Sequence, residues 1–268
     1  MTSLVPPDKW WAFAGEAPQD IEGAIFGDGW WTAPNSEVGG GAEPGGYAAL
    51  PEALRKAAPS LIVTDVDSTL INEEVIDELA DLAGHRKQVA AITDRAMRGE
   101  IDFEESLYQR VALLRGMPEA ALGRVSSSIT LTPGTRELID WVHSIGGKFG
   151  IVSGGFTQVV APIAEQLGID FVAAIELEVE DGLLTGRTAG PVVDAQAKVH
   201  ALRTWAGDSL STTVAVGDGA NDIPMLETAG AGIAFCAKPA VKEAVGNFLS
   251  IRRLDAVAGL LGYDPTAN

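Results

Sequence analysis

A chain of 268 residues with 46% apolar residues can bury a large core, as one large domain or two small ones. Its net charge of −18 argues against nucleic acid as a partner, because phosphate backbones need clustered Lys and Arg, and no basic run appears. The single cysteine, Cys236, excludes an intrachain disulfide framework, and neither a bilayer-spanning apolar run nor a signal-like stretch after Met1 is present, so the expected location is the cytoplasm.

Residues 1–57 stand apart from the rest. They hold four of the six tryptophans, Trp10, Trp11, Trp30 and Trp31. The stretch Glu37–Gly46, EVGGGAEPGG, reads as a flexible linker. The tryptophans are expected to pack on the main domain or on each other, and no function follows from them. From residue 61 strands alternate with helices. The apolar run Leu61–Thr64 predicts a buried strand. Residues 75–125 read as interrupted helix without a convincing strand. Thr132 with Pro133 predicts a helix start, and apolar Leu138, Ile139, Val142 and Ile145 carry that helix to Gly146-Gly147. Lys148–Val152 is the next expected strand, and 156–167 a helix kinked at Pro162. A short strand at 171–174 and a hairpin over 176–187, turning at Asp181-Gly182, follow. Then come a helix at 195–205, strands at 213–216 and 232–235, and a last helix near 254–261. The alternation predicts an α/β fold with a mostly parallel sheet covered by helices, and a helical insertion after the first strand.

Four segments carry the chemistry. DVDST, Asp65 to Thr69, places two carboxylates at a strand end, where open α/β sheets bind ligands. Ser153-Gly154-Gly155 is expected to follow a strand and open a helix, which makes an anion site from a hydroxyl and free N–H groups. Lys198 offers a positive charge to the same anion. GDGAND, Gly217 to Asp222, adds two more carboxylates and an amide. Carboxylates around an anion site repel the anion unless a hard cation lies between them, and an all-oxygen ligand set favours Mg²⁺. Cation, anion cradle and carboxylate nucleophile together suggest phosphoryl transfer through an aspartyl-phosphate.

With these four motifs, spanning about 61–240, the chain resembles the haloacid dehalogenase superfamily phosphatases, and among them the branch that acts on phosphoserine. The resemblance implies a Rossmann-like core at 58–74 and 130–268 with a helical cap at 75–129. It makes Asp65 the nucleophile and Asp67 the general acid, then base. It assigns Mg²⁺ to the Asp65 carboxylate, the Asp67 backbone carbonyl and Asp218, with Asp222 in support, and the phosphate to Ser153, Gly154, Lys198 and Asn221. Phosphoserine also carries an ammonium and a carboxylate. Glu74 sits where the family grips the first, Arg110 where it grips the second through a bidentate fork. Met97 and Phe103 match apolar residues that close over the substrate.

The function so implied is hydrolysis of O-phospho-L-serine, the last step of serine biosynthesis. A phosphotransferase, or a phosphatase for another small phosphomonoester, shares the first half-reaction and stays open. The expected partner is the small substrate, with neither nucleic acid nor membrane, and a homodimer is compatible. A complete regulatory domain, which many family members carry at the N-terminus, is not expected in residues 1–57.

Overall fold

The computed structural model describes residues 7–16, 21–34 and 44–266. Most of the Gly-rich stretch read as a linker lies outside them, and its last residue, Gly46, opens a strand. The first part of the chain forms β1 (Lys9–Ala14), β2 (Ile25–Gly27), β3 (Trp30–Ala33), β4 (Gly46–Ala49) and a short helix α1 (Glu52–Lys56). Next come β5 (Leu61–Thr64) and four consecutive helices, α2 (Val75–Leu82), α3 (Arg86–Met97), α4 (Phe103–Ala112) and α5 (Ala120–Ser128). After these the chain alternates: α6 (Thr135–Ser144), β6 (Lys148–Phe156), α7 (Thr157–Leu167), β7 (Phe171–Glu180), β8 (Leu183–Ala189), α8 (Ala195–Ala206) and β9 (Thr213–Gly217). The remainder is α9 (Ile223–Thr228), β10 (Ala231–Phe235), α10 (Pro239–Val245), β11 (Phe248–Leu249) and α11 (Ala256–Leu260).

All the strands join one sheet in the order β2-β3-β1-β4-β11-β10-β9-β5-β6-β7-β8. The stretch from β11 to β7 is parallel. Its central strands are buried throughout (Leu61–Thr64, Thr213–Gly217, Ala231–Phe235), as strands covered by helices on both faces must be. The chain runs outward from β5 through β6 to β7, then returns to the other side of β5 for β9 and β10. The strand order therefore reverses at β5, and a crevice forms at its carboxyl end.

The tryptophan-rich region extends this same sheet. β4 pairs antiparallel with β11, and β1, β3 and β2 continue from it. Trp10 and Trp30 enter the main core, while Trp31 stacks on Phe13 with ring centroids 4.2 Å apart. Trp30 Nε1–H donates to the buried Asp255 (2.9 Å), which also accepts from Arg253. Both expectations for these rings, packing on the main domain and on each other, are met by different tryptophans.

Two local expectations are corrected. Helix α6 starts at Thr135 behind Gly134, at φ +82°, and not at Thr132. Thr132 N–H is taken by Leu70 O (3.0 Å), which holds that residue in an extended tie to the turn after β5. Strand β6 runs on to Phe156 with an irregular register against β7 between Val152 and Phe156. Ser153-Gly154-Gly155 thus lies in a bulged strand end, and the helix opens only at Thr157. The hairpin turns where expected, with Asp181 and Gly182 both at positive φ.

Candidate active site

At the carboxyl end of β5 the chain makes one wide turn over Val66–Leu70, closed by Ile71 N–H to Val66 O (3.0 Å). Inside it Ser68 takes a left-handed backbone at φ +57°, uncommon for a residue with a side chain. Asp65 and Asp67 both keep extended backbone, two residues apart, and face the same space, while the reversal at Ser68 turns the chain away behind them. Both line a cavity of about 210 Å³ together with Glu74, Phe103, Arg110, Gly154, Asp218 and Asn221. Its apolar wall includes Ile76, Leu107 and Phe156, which the sequence did not single out.

Beneath the cavity lies an ion network. Lys198 is 0% exposed, and its Nζ donates to Asp65 Oδ1 (2.8 Å) and Asp222 Oδ1 (2.6 Å). The other oxygen of Asp222 accepts from Gly219 N–H (2.9 Å), so both of its oxygens are engaged within the protein. A side chain at Gly217 would sit 2.6 Å from Asp222, which leaves room only for glycine there. Asp218 accepts from Thr69 Oγ1 (3.2 Å), and Glu74 from Ser68 Oγ (2.8 Å). Ser68 and Thr69 belong to the DVDST motif, but their part in holding Glu74 and Asp218 depends on the turn and is not visible in spacing.

Of the residues expected at the site, Asp65, Asp67, Glu74, Phe103, Arg110, Gly154, Asp218 and Asn221 line the cavity. Ser153 and Lys198 lie buried and outside its lining: Ser153 Oγ accepts from Gly155 N–H (2.7 Å), and Lys198 points at the two aspartates. Met97, expected to close over the substrate, is 63% exposed at the end of α3 and is not among the residues that line the cavity. The apolar wall is built by α2 and α4 instead, through Ile76, Phe103 and Leu107.

The electrostatics follow from burial. Asp65 is pushed well up, first by desolvation and then by Asp222, against the pull of Lys198. Burial and the nearby Glu74 raise Asp67 to about 7. Burial and the charges of Asp222 and Glu74 raise Asp218 to about 6. Burial works against the charge of Lys198, but Asp65 and Asp222 more than offset it and hold the lysine charged. One ammonium therefore faces several carboxylates. Oxygens of Asp65, Asp218 and Asp222 lie within 4.8 Å of one another, an all-oxygen set that suits a hard cation. The surplus of negative charge around a single lysine is what such a cation would neutralise.

The sequence pattern of the haloacid dehalogenase-like hydrolases matches residues 62–227, and a second pattern of the same description matches 194–261. A phosphoserine phosphatase of Lactococcus lactis is 55% identical over 201 residues, covering 74% of this chain and 93% of its own length. One from Streptomyces coelicolor is 50% identical over 80% of this chain but only 53% of its own, so the chain spans about half the length of that longer relative. A solved substrate-bound phosphoserine phosphatase superposes with a TM-score of 0.69 at 43% identity, covering 74% of this chain and 96% of that one. Together with the carboxylate-lined crevice at the strand-order reversal, these matches show that the chain belongs to the haloacid dehalogenase-like hydrolases, in the branch that holds these phosphatases.

Proposed function

We propose that this chain hydrolyses O-phospho-L-serine to serine and phosphate through a phosphorylated Asp65. The observation that carries the substrate is one cavity lined by Asp65, Asp67 and Asp218 and also by Glu74 and Arg110. Phosphoserine carries an ammonium and a carboxylate besides its phosphate, and Glu74 and Arg110 are the complementary charges. Burial raises Glu74 while Ser68 and Arg110 favour its ionised form, so Ser68 keeps the acid aimed and available to a cation. Residues 75–129 then act as a cap whose helices α2 and α4 supply the substrate contacts.

Lys198 holds Asp65 by Oδ1, which leaves Oδ2 as the oxygen that attacks phosphorus. Asp67, with a pKa near 7, keeps a proton for the departing serine oxygen. Once it has given the proton, Asp67 takes one from a water molecule, and the resulting hydroxide displaces phosphate from Asp65. Val75 N–H donates to Asp67 Oδ1 (3.2 Å) and keeps that carboxyl turned toward the cavity through both halves. Asp65, Asp218 and the Asp67 backbone carbonyl are the proposed Mg²⁺ ligands, with Asp222 fixing Lys198 and the loop behind them. When bound, the ion supplies positive charge to the phosphoryl oxygens and keeps Asp65 ionised. Gly154 and Asn221, on the cavity wall, are placed to donate to phosphate; Ser153 supports them from below. Among the described residues no helix is long and apolar enough to cross a membrane.

The test is phosphate release from L-phosphoserine with Mg²⁺, beside EDTA, homoserine as an alternative acceptor, and a panel of other phosphomonoesters. Rapid, metal-dependent release selective for phosphoserine is expected. Release from other esters but not from phosphoserine would leave the catalytic half standing and remove the substrate role of Glu74 and Arg110.

A further inference from the structure

A second cavity, of about 250 Å³, lies at the far end of the helical insertion. Arg115, Arg124 and His85 line it, and among the described residues none that lines it is acidic. That is a local reversal in a chain with 37 Asp and Glu against 19 Lys and Arg. Among the described residues neither arginine makes an ion pair or a side-chain hydrogen bond; Arg136 and Arg203 are unpaired too, so what marks this pair is that both line one cavity. His85 Nδ1 is buried and has no hydrogen-bond partner, which is uncommon for a buried polar atom. The remaining walls are mostly apolar and include Leu82, Leu114 and Met117.

We propose that this cavity is a second ligand site, which takes a small carboxylate with an apolar body and is felt by the substrate site. Guanidinium forks match a carboxylate in shape and charge. The apolar walls select against a bare inorganic anion. A cavity of about 150 Å³ already holds benzene, so the volume here accommodates a benzoate-sized molecule.

The coupling comes from two shared helices. α2 has Ile76 of its first turn in the substrate cavity and Leu82, its last residue, in the second. α4 places Phe103, Leu107 and Arg110 in the substrate cavity and runs directly into Leu114 and Arg115. A ligand that draws the ends of α2, α4 and α5 together acts on Arg110 and on the segment carrying Glu74. Coupling of this kind is reciprocal, so substrate changes the affinity of the carboxylate by the same factor. This coupling, unlike the binding itself, rests on the function proposed above.

The test is titration calorimetry of the full chain with benzoate, using benzyl alcohol and benzylamine as controls. Kinetics with phosphoserine are run with and without benzoate. Saturable binding of benzoate alone is expected. Arg115→Gln/Arg124→Gln should weaken it by about tenfold or more, the size of a lost charge-assisted hydrogen bond, while Arg110→Ala leaves it intact. Both arginines are exposed, and circular dichroism checks that the double variant folds. Saturating benzoate should shift KM for phosphoserine at least about twofold in the parent and not in the double variant. No saturable binding at millimolar benzoate, binding equal in the double variant, or binding lost in Arg110→Ala overturns the site. Binding at the site with an unmoved KM overturns the coupling. Absence of phosphoserine turnover in the parent would instead count against the proposed function, leaving the binding result to stand by itself.

Discussion

The two ends of the parallel sheet treat their carboxylates in opposite ways. At the carboxyl ends of β5 and β9, Asp65, Asp67 and Asp218 are all raised, with burial the largest cause each time. At the amino ends of β6 and β7, Asp170 is lowered. Burial pushes it up there too, but Lys148 Nζ (2.7 Å), Phe149 N–H (2.9 Å) and His143 (2.9 Å) more than offset that. The first end holds more negative charge than its one lysine balances; the second is fully paired. A folded chain tolerates the imbalance only where the charge has work to do, and here the work is to hold a cation and to move a proton. The contrast separates a carboxylate that stabilises the fold from one that the fold strains to keep.

The largest effect should come from the strained end. Asp65→Asn removes the nucleophile, and turnover of phosphoserine should fall by about 10⁴-fold or more. It also removes one of several repelling charges, so the Tm in metal-free buffer should stay level or rise. Near-normal turnover would rule out Asp65 as the attacking group, and a large drop in Tm would show that the carboxyl ends are not strained at all.

Lys198→Met attacks the same balance from the other side. Asp65 and Asp222 would be left buried with no cation between them, a loss of about 3–5 kcal/mol. Adding Asp222→Asn should recover part of it, because the second change removes a charge the first had stranded. Urea denaturation of both single variants and the double gives the coupling directly. Additive losses would mean that Lys198 contributes through packing alone.

Arg110→Ala should act on substrate recognition and leave the ion network intact. KM for phosphoserine should rise about 10- to 100-fold, the value of a charge-assisted contact with the substrate carboxylate. p-Nitrophenyl phosphate, which has no such carboxylate, should change by less than about threefold. Equal effects on the two substrates would return Arg110 to a structural role in α4, where its Nε–H already donates to Ser106 O (3.2 Å).

What was legible in the sequence follows the same division. Buried parallel strands announce themselves as short apolar runs, so Leu61–Thr64 and Thr213–Val216 were found nearly to the residue. The hairpin turn at Asp181-Gly182 was equally local. Strands β1 to β4 do not stand out in a Trp- and Gly-rich segment, and β4 has its partner far away: Gly46 and Tyr47 pair with Leu249 and Phe248 about 200 residues on. Ser153-Gly154-Gly155 reads as a helix start because nothing local says that β6 continues past its bulge to meet Ile175. At the site, motif residues carried their own chemistry, and Asp65, Asp67 and Asp218 do share one cavity. Lys198 could not be placed by pattern, since a lysine in an ordinary helix reads as solvated until tertiary packing buries it. Met97 shows the converse: the resemblance implies a wall over the substrate, yet α3 turns it to solvent.

The smallest effect should come from the balanced end, and it has a sign. The folded-state pKa of Asp170 lies below the ordinary 3.8 of an unfolded aspartate. Its stabilisation is therefore present in full above that value and is lost as pH falls through the folded pKa. Asp170→Asn should cost about 1 kcal/mol or less at pH 7, because Lys148 is well exposed and its pairing is screened. The gap between parent and variant should then close below pH 4, as the parent loses what the variant never had. Urea midpoints at pH 7, 5, 4 and 3 measure it. A gap that stays constant across that range would mean that Asp170 holds His143 and Phe149 by hydrogen bonding alone, which asparagine fails to reproduce, and that charge balance contributes nothing at this end of the sheet.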